Sequence, residues 1–491
     1  MSELPNGWAE TTLGEIAPLT YGKALVGKNR DTDGKVPVFG SSGRIGSHNL
    51  ALTNRETLIV GRKGTVGAVY HSAEPCWVID TAYFINTPEC LNWRFLYHLI
   101  SHQKLVNLDR STAIPGLSRD DYNKVRVQVA PLGEQDRIVD EIEKQFTRLD
   151  AATAALKRVQ ANLKRYRASV LKAACEGRLV PTEAELARKE GRDYEPADKL
   201  LQRILRERRA RWEADTLAKM IAAGKRPTDD RWKQKYKEPP APDTSNHPAL
   251  PDGWVCVSLD AVADVIDPNP SHRTPRYVEH GVAFVSAENF VGDSGVDFKI
   301  GRQVGQEVLK EQIERFPILP GAFAMSRYGT IGKTCKLPPE RTYCLSYSLV
   351  VIQSASALVD SDFLRLVCSS GMIMGLAQSR IQGAAIPDLG VANIRSLPIA
   401  LPSREEQMRI NEEAARKLSV VDQMTESISH LLVHADRLRQ SVLTSAFTGQ
   451  LVPQDPTDEP ASALLERIRA GRVESSKKTA ARNVARKRGK Q

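Results

Sequence analysis

The chain has 491 residues, 41% of them hydrophobic and 26% charged, with a formal charge of +10 and a pI near 9.2. That length exceeds what one core usually organises, so two to four domains are expected; no apolar run approaches the roughly 20 residues of a membrane span and residues 1–9 lack a secretory pattern, which predicts a cytoplasmic protein. Seven cysteines with neither a C-x-x-C pair nor histidines at ligand spacing argue against a zinc site or disulfide framework. The positive balance suits a polyanionic partner, although eight basic residues crowd the last 20 positions.

In chain order, residues 1–132 open with "LPNGW" from Leu4. Short β-type runs ("TLIVGRKGTVGAVY", "WVIDTAYFI") then alternate with glycine-rich turns before one helical stretch, "WRFLYHLISHQKLV". This pattern predicts a mixed α+β head on a largely antiparallel sheet. Within "GRKGTVG", from Gly61, a glycine behind Arg62 and Lys63 allows a tight turn that pushes both side chains outward, toward phosphates or base edges; a plain hairpin with solvated charges is the competing reading. Residues 133–180 change period. From 134 to 175 there is no proline or glycine, and apolar or small residues recur at 138, 142, 146, 149, 153, 156, 159, 163, 166, 170 and 173, which predicts a long helix with a coiled-coil seam. Gly177 and Pro181 supply its stop. Residues 181–249 read as a helical segment and a basic, tryptophan-containing linker. Residues 250–402 form a second head ("GVAFVSA", "SRYGTIG", "YSLVVIQ"). Residues 403–453 form a second long helix, capped by Ser403 with Glu406 and striped at 410, 414, 418, 421, 424, 428, 431, 435, 438, 442 and 445. Residues 454–491 add a helical segment and a basic tail.

The two halves repeat each other. "LPNGW" returns as "LPDGW" at Leu250, "GRKGTVG" as "SRYGTIG" at Ser326, "AIPGL" at Ala113 as "AIPDL" at Ala385, and "EQDRI" at Glu134 as "EQMRI" at Glu406. "AACEGRLVP" from Ala173 answers to "SAFTGQLVP" from Ser445, and "EPADKLLQRI" from Glu195 to "EPASALLERI" from Glu459. Order is kept while the offset drifts, so this is one duplicated half rather than a short-period solenoid. The heads have diverged; the helices keep a fixed offset, as expected of rigid elements whose length matters. Two such stripes in one chain would pack on each other most simply.

Catalytic signatures are missing. "GTIGKT" at Gly329 lacks the first glycine of a phosphate-binding loop, since Arg327 stands there; "DPNP" at Asp267 lacks the second proline and the aromatic of an amino-methyltransferase motif. No nucleophile–base constellation recurs in both halves. The chain therefore reads as non-catalytic, with a single-chain enzyme carrying its own transferase or nuclease centre and a non-DNA coiled-coil scaffold as alternatives.

Six motifs in order, twice, resemble the specificity (DNA sequence recognition) subunit of a type I restriction-modification system over nearly the whole chain. The resemblance implies an α+β, pseudo-twofold fold: two target-recognition domains with twisted, mainly antiparallel sheets, alternating with two long α-helices that pack as an antiparallel coiled coil. It implies that each head reads half of a split, asymmetric double-stranded DNA target with the helices as a ruler. Two modification (methyltransferase) subunits would dock on the chain and restriction (translocase/nuclease) subunits would join; S-adenosylmethionine, ATP and Mg would reside on those partners, with no cofactor in this chain. By charge and position in turns, DNA-contact candidates are Lys28, Arg30, Arg44, Arg62, Lys63 and Arg119 in the first head, and Arg273, Arg276, Arg327, Tyr328, Lys333 and Arg380 in the second. The duplicated apolar faces Leu200, Leu201 and Ile204, and Leu464, Leu465 and Ile468, are candidate partner-docking surfaces; closure against the chain's own helices is the other reading.

Overall fold

A computed structural model describes residues 4–473, apart from 32, 87, 89, 110–114, 243–248, 272, 293–294 and 382–386. The basic tail beyond 473 and the starts of both "AIP" motifs lie outside the described residues. Two helices of equal length, Leu132–Cys175 and Arg404–Phe447, each have 44 residues and therefore rise about 66 Å. Both stop at the expected glycines, Gly177 and Gly449, whose φ values of +66° and +70° favour a residue without a Cβ.

The folded units are not the sequence repeats. One comprises Met1–Arg158 with Ile428–Gln491, and the other Val159–Ser427, so each long helix is divided between the two units.

In the first unit an antiparallel sheet orders Thr20–Tyr21, Ala82–Ile85, Thr57–Gly61 and Val69–Ser72, and a three-stranded sheet joins Gly43–His48, Val36–Gly40 and Trp77–Val78. The helix Trp93–His102 packs Phe95, Leu96, Leu99 and Ile100 into a core shared with Ile138 and Ile142 from the start of the first long helix and with Leu443, Ala446 and Phe447 from the end of the second. Farther along, Asp150 pairs with Arg439, so the two helix halves run antiparallel. In the second unit the matching sheet is Ala263–Ile266, Leu349–Ser354, Phe323–Ser326 and Thr334–Lys336. There Val170, Ala174 and Cys175 share a core with Ile410 and Ala414, and Arg167 pairs with Asp422, again antiparallel.

The repeated phrases are the joints of this arrangement. Trp8 donates its indole N–H to both oxygens of Glu134 at 3.1 Å, and Trp254 donates its own to Oε1 of Glu406 at 2.9 Å. The Gly7 carbonyl accepts from the Ala461 amide at 2.8 Å, and the Gly253 carbonyl from Ala197 at 2.9 Å. A Cβ on Gly449 would strike the ring of Pro5, and one on Gly177 the ring of Pro251, each at 2.5 Å. "EQDRI" and "EQMRI" are accounted for in the same way. Beyond the glutamate, Gln135 accepts from the Asn92 amide and Gln407 from Asp360; Arg137 pairs with Asp458 and Arg409 with Glu183, both at 2.6 Å. Each "LPxGW" start is thus clasped to the end of the other repeat's helix.

Three expectations are corrected. The seam of the second helix is covered at Ala414, Val421, Ile428 and Ala435, every seventh residue, but Met424, Leu431 and Leu438 are 44%, 49% and 40% exposed. The run of apolar residues there exceeds the width that one partner helix covers. Within residues 181–249 the tryptophan-containing stretch is not all linker: the helix Ala197–Ala222 takes in Trp212, which lies 6.1 Å from Trp232 and 5.3 Å from Tyr236, folding the following segment back onto it. Lastly, Leu200, Ile204, Leu464, Leu465 and Ile468 are at most 3% exposed and belong to the unit cores, with Leu201 packed beside them. Their apolar faces close on the chain itself, because each completes a head that would otherwise expose its sheet and helix.

One buried group makes the first unit pH-sensitive. His98 lies against Phe146 at 5.7 Å, and burial, reinforced by the Arg94 charge, lowers its pKa from 6.5 to about 4. A histidine neutral in the fold contributes stability that is complete above its unfolded pKa and is lost as pH falls from about 6.5 toward 4, on the order of 3 kcal/mol. Leu366 occupies the matching place in the second unit. His98→Leu is expected to flatten this loss in urea titrations at pH 7 and pH 5; an equal loss in both proteins would discount His98.

Candidate nucleic-acid interface

The turn Gly61 to Gly67 leaves its strand, and hydrogen bonds tie it to the segment before the helix Arg119–Asn123: Gly64 N–H donates to the Pro115 carbonyl at 3.2 Å and Leu117 N–H to the Arg62 carbonyl at 2.8 Å. This pairing brings Arg62, Lys63 and Arg119 into one neighbourhood. Arg62 and Arg119 both lie over the ring of Tyr21, at 5.0 and 5.4 Å from its centre. Lys63 is exposed. Lys28 and Arg44 are exposed elsewhere on the head, on the turn Gly27–Asn29 and the strand Gly43–His48. Arg30 is half-buried and donates to the Ile45 carbonyl at 3.3 Å, tying that turn to that strand.

The second unit repeats the backbone and changes the chemistry. Gly329 donates to Pro387 at 3.0 Å and Leu389 to Arg327 at 2.8 Å. Arg327, however, is 2% exposed and ion-paired to Asp388 at 3.0 Å and Asp267 at 3.5 Å, so it braces its own loop. Arg380 likewise turns inward, donating to Ser396 Oγ at 3.2 Å. For these two the expected DNA contact gives way to internal bracing, since a buried guanidinium must be paired. Tyr328 is half-buried, edge-on to Tyr347 at 5.8 Å, while Arg273, Arg276 and Lys333 are exposed. Sequence reading missed Tyr21, because a tyrosine in "LTYGK" carries no charge or periodicity to single it out. Arg327→Ala is expected to destabilise the second unit by about 1–3 kcal/mol, since it strands two partly buried carboxylates; unchanged unfolding would contradict the bracing role.

Among the described residues no helix is long and apolar enough to cross a membrane, and no group of three His, Cys, Asp or Glu could hold a metal ion.

Two mixed α+β heads, each completed by parts of two long helices, define a paired-head class of α+β protein. Residues 5–164 match the family model described as the type I restriction modification DNA specificity domain. The chain is similar to the type I restriction enzyme EcoDI specificity subunit of Escherichia coli, 22% identical with 98% of each chain covered, and to the EcoBI specificity subunit of the same organism, 23% identical over 87% of this chain and 82% of that one. Its fold is similar to a chain solved in work on complex assembly and conformational transition of the type I R-M system, with a TM-score of 0.60, 16% identity, and 92% of this chain and 100% of that one covered. The repeated motifs and these likenesses agree: residues 5–164 match the DNA specificity domain, and nearly the whole chain is similar to type I restriction enzyme specificity subunits.

Proposed function

We propose that this subunit reads a bipartite, asymmetric duplex DNA target, one half-site with each head, and directs methyltransferase and restriction subunits to it. S-adenosylmethionine, ATP and Mg act on those partners in this reading. The observation that carries it is chemical divergence on a shared backbone: equivalent turns present Arg62 and Lys63 in one head, while in the other Arg327 is buried and Tyr328 stands beside it. Two heads with one scaffold and unlike side chains suit two unlike half-sites. The two long helices, of equal and fixed length, set the number of unread base pairs, as dimer geometry sets half-site spacing in symmetric DNA-binding proteins. Met424, Leu431 and Leu438, exposed at seven-residue intervals, offer partner helices the apolar stripe that the buried Leu464 face does not.

Genome-wide mapping of methylated bases in a host with and without the gene is expected to yield a split motif with unlike halves; a palindrome, or no change, overturns the reading. Deleting one heptad from each helix, residues 153–159 and 430–436, is expected to change the gap and leave both half-sites intact, and an unchanged gap removes the ruler.

A further inference from the structure

The cluster around Tyr21 holds an imbalance that its counterpart lacks. Arg62 and Arg327 occupy the same backbone position: each follows a core strand, and each accepts at its carbonyl from a leucine amide at 2.8 Å. Lys63 bridges to Gly116 where Tyr328 bridges to Asp388. The carboxylate of Asp388 neutralises Arg327; glycine at 116 leaves Arg62 with no such group. The second carboxylate on Arg327, Asp267, directly follows the strand Ala263–Ile266, which matches Thr20–Tyr21. By continuation of the strand register, Tyr21 stands where Asp267 does. Both acids of one head are therefore replaced in the other, by a glycine and an aromatic ring.

The result is a cationic site without a direct carboxylate partner; the acid beside it, Asp109, is engaged by the Gly116 amide at 3.1 Å. Among the described residues, no carboxylate lies within 4.0 Å of the charged groups of Arg62, Lys63 or Arg119. Arg62 donates to the Asp80 carbonyl at 3.0 Å, which orients its fork and leaves its charge unneutralised. Two guanidinium groups share one ring that is 46% exposed, and a second ring, Tyr83, lies 5.7 Å from Arg62. Aromatic faces hold guanidinium groups in place, yet two like charges at one ring repel unless an anion joins them. A phosphodiester suits that place: it carries one charge, and the planar fork of arginine matches its oxygens.

We propose that Tyr21, Arg62 and Arg119, flanked by Lys63, form a phosphodiester clamp in the first head that grips the backbone of duplex DNA, and that the second head has given up the equivalent grip to brace its own loop through Arg327. This rests on the DNA-recognition reading above and deepens it: the two heads differ in how they hold the backbone as well as in what they read.

The test is a salt titration of the full chain on a fluorescein-labelled, mixed-sequence duplex of ~30 base pairs, read by anisotropy, where each lost phosphate contact flattens the log K against log salt slope by about 0.9. Arg62→Ala and Arg119→Ala together should flatten the slope by about that amount and each alone by part of it, weaken binding by the same factor on every duplex, and leave the melting temperature unchanged. Gly116→Asp, which copies the second head, should imitate Arg62→Ala. Unchanged slopes in a chain that still binds duplex DNA overturn the clamp and spare the function. A changed base preference at constant slope overturns it too, by making these residues readers of bases. A wild-type chain without affinity for any duplex would overturn the function, and the clamp with it.

Discussion

A chain ending at residue 249 should assemble as a homodimer. The first head is completed by Leu443, Phe447, Leu464, Leu465 and Ile468, all from the far end of the sequence. Without them it exposes an apolar face worth about 10 kcal/mol, at roughly 2 kcal/mol per buried side chain. A half-chain carries its own version of the missing piece, since Val170, Ala174, Leu200 and Ile204 play that role for the second head. Two copies can therefore complete each other, with Ala197 of one meeting Gly7 of the other. Native mass measurement should find twice the half-chain mass, and Leu200→Asp in the half-chain should abolish pairing. Such a dimer has identical heads, so its DNA target should become symmetric. A stable, cooperatively folding monomer would mean that the far helix end is dispensable.

Leu464→Asp in the full chain should unfold the first unit. The residue is 1% exposed, and an unpaired carboxylate in an apolar core costs several kcal/mol, about 5 or more. Hydrogen exchange should show protection lost across the first unit and kept in the second; Leu200→Asp should do the reverse. Leu431→Asp, on the exposed stripe, should leave both units intact and weaken assembly with the methyltransferase subunit. If Leu464→Asp melts like the wild type yet fails to assemble, the duplicated face is a docking surface after all.

Both outcomes turn on a distinction that pattern alone could not draw. The spacing of Leu464, Leu465 and Ile468 announces an apolar face but is indifferent to what covers it, the chain's own head or a partner. The same holds for the second long helix, where Leu431 and Ile428 look alike in sequence and differ only in which side meets the neighbouring helix. In the candidate interface, Arg62 and Arg327 were indistinguishable as charges beside a glycine. Their roles separate through residues 54 and 60 or more positions away, Gly116, Asp388 and Asp267, which the fold brings to them.

Sequence alone determined the duplication, the two α+β heads and the two long helices with their ends, because these depend on local periodicity, capping and turn residues that neighbours along the chain already contain. Only the tertiary structure decided that each head is finished by the opposite repeat, that the duplicated leucines are core, and that one turn arginine rests on aromatic rings without a carboxylate while its twin is ion-paired. Those are facts of burial and pairing between residues far apart in the chain, and free energies of burial and of ion pairing depend on what surrounds a side chain, which no local pattern specifies.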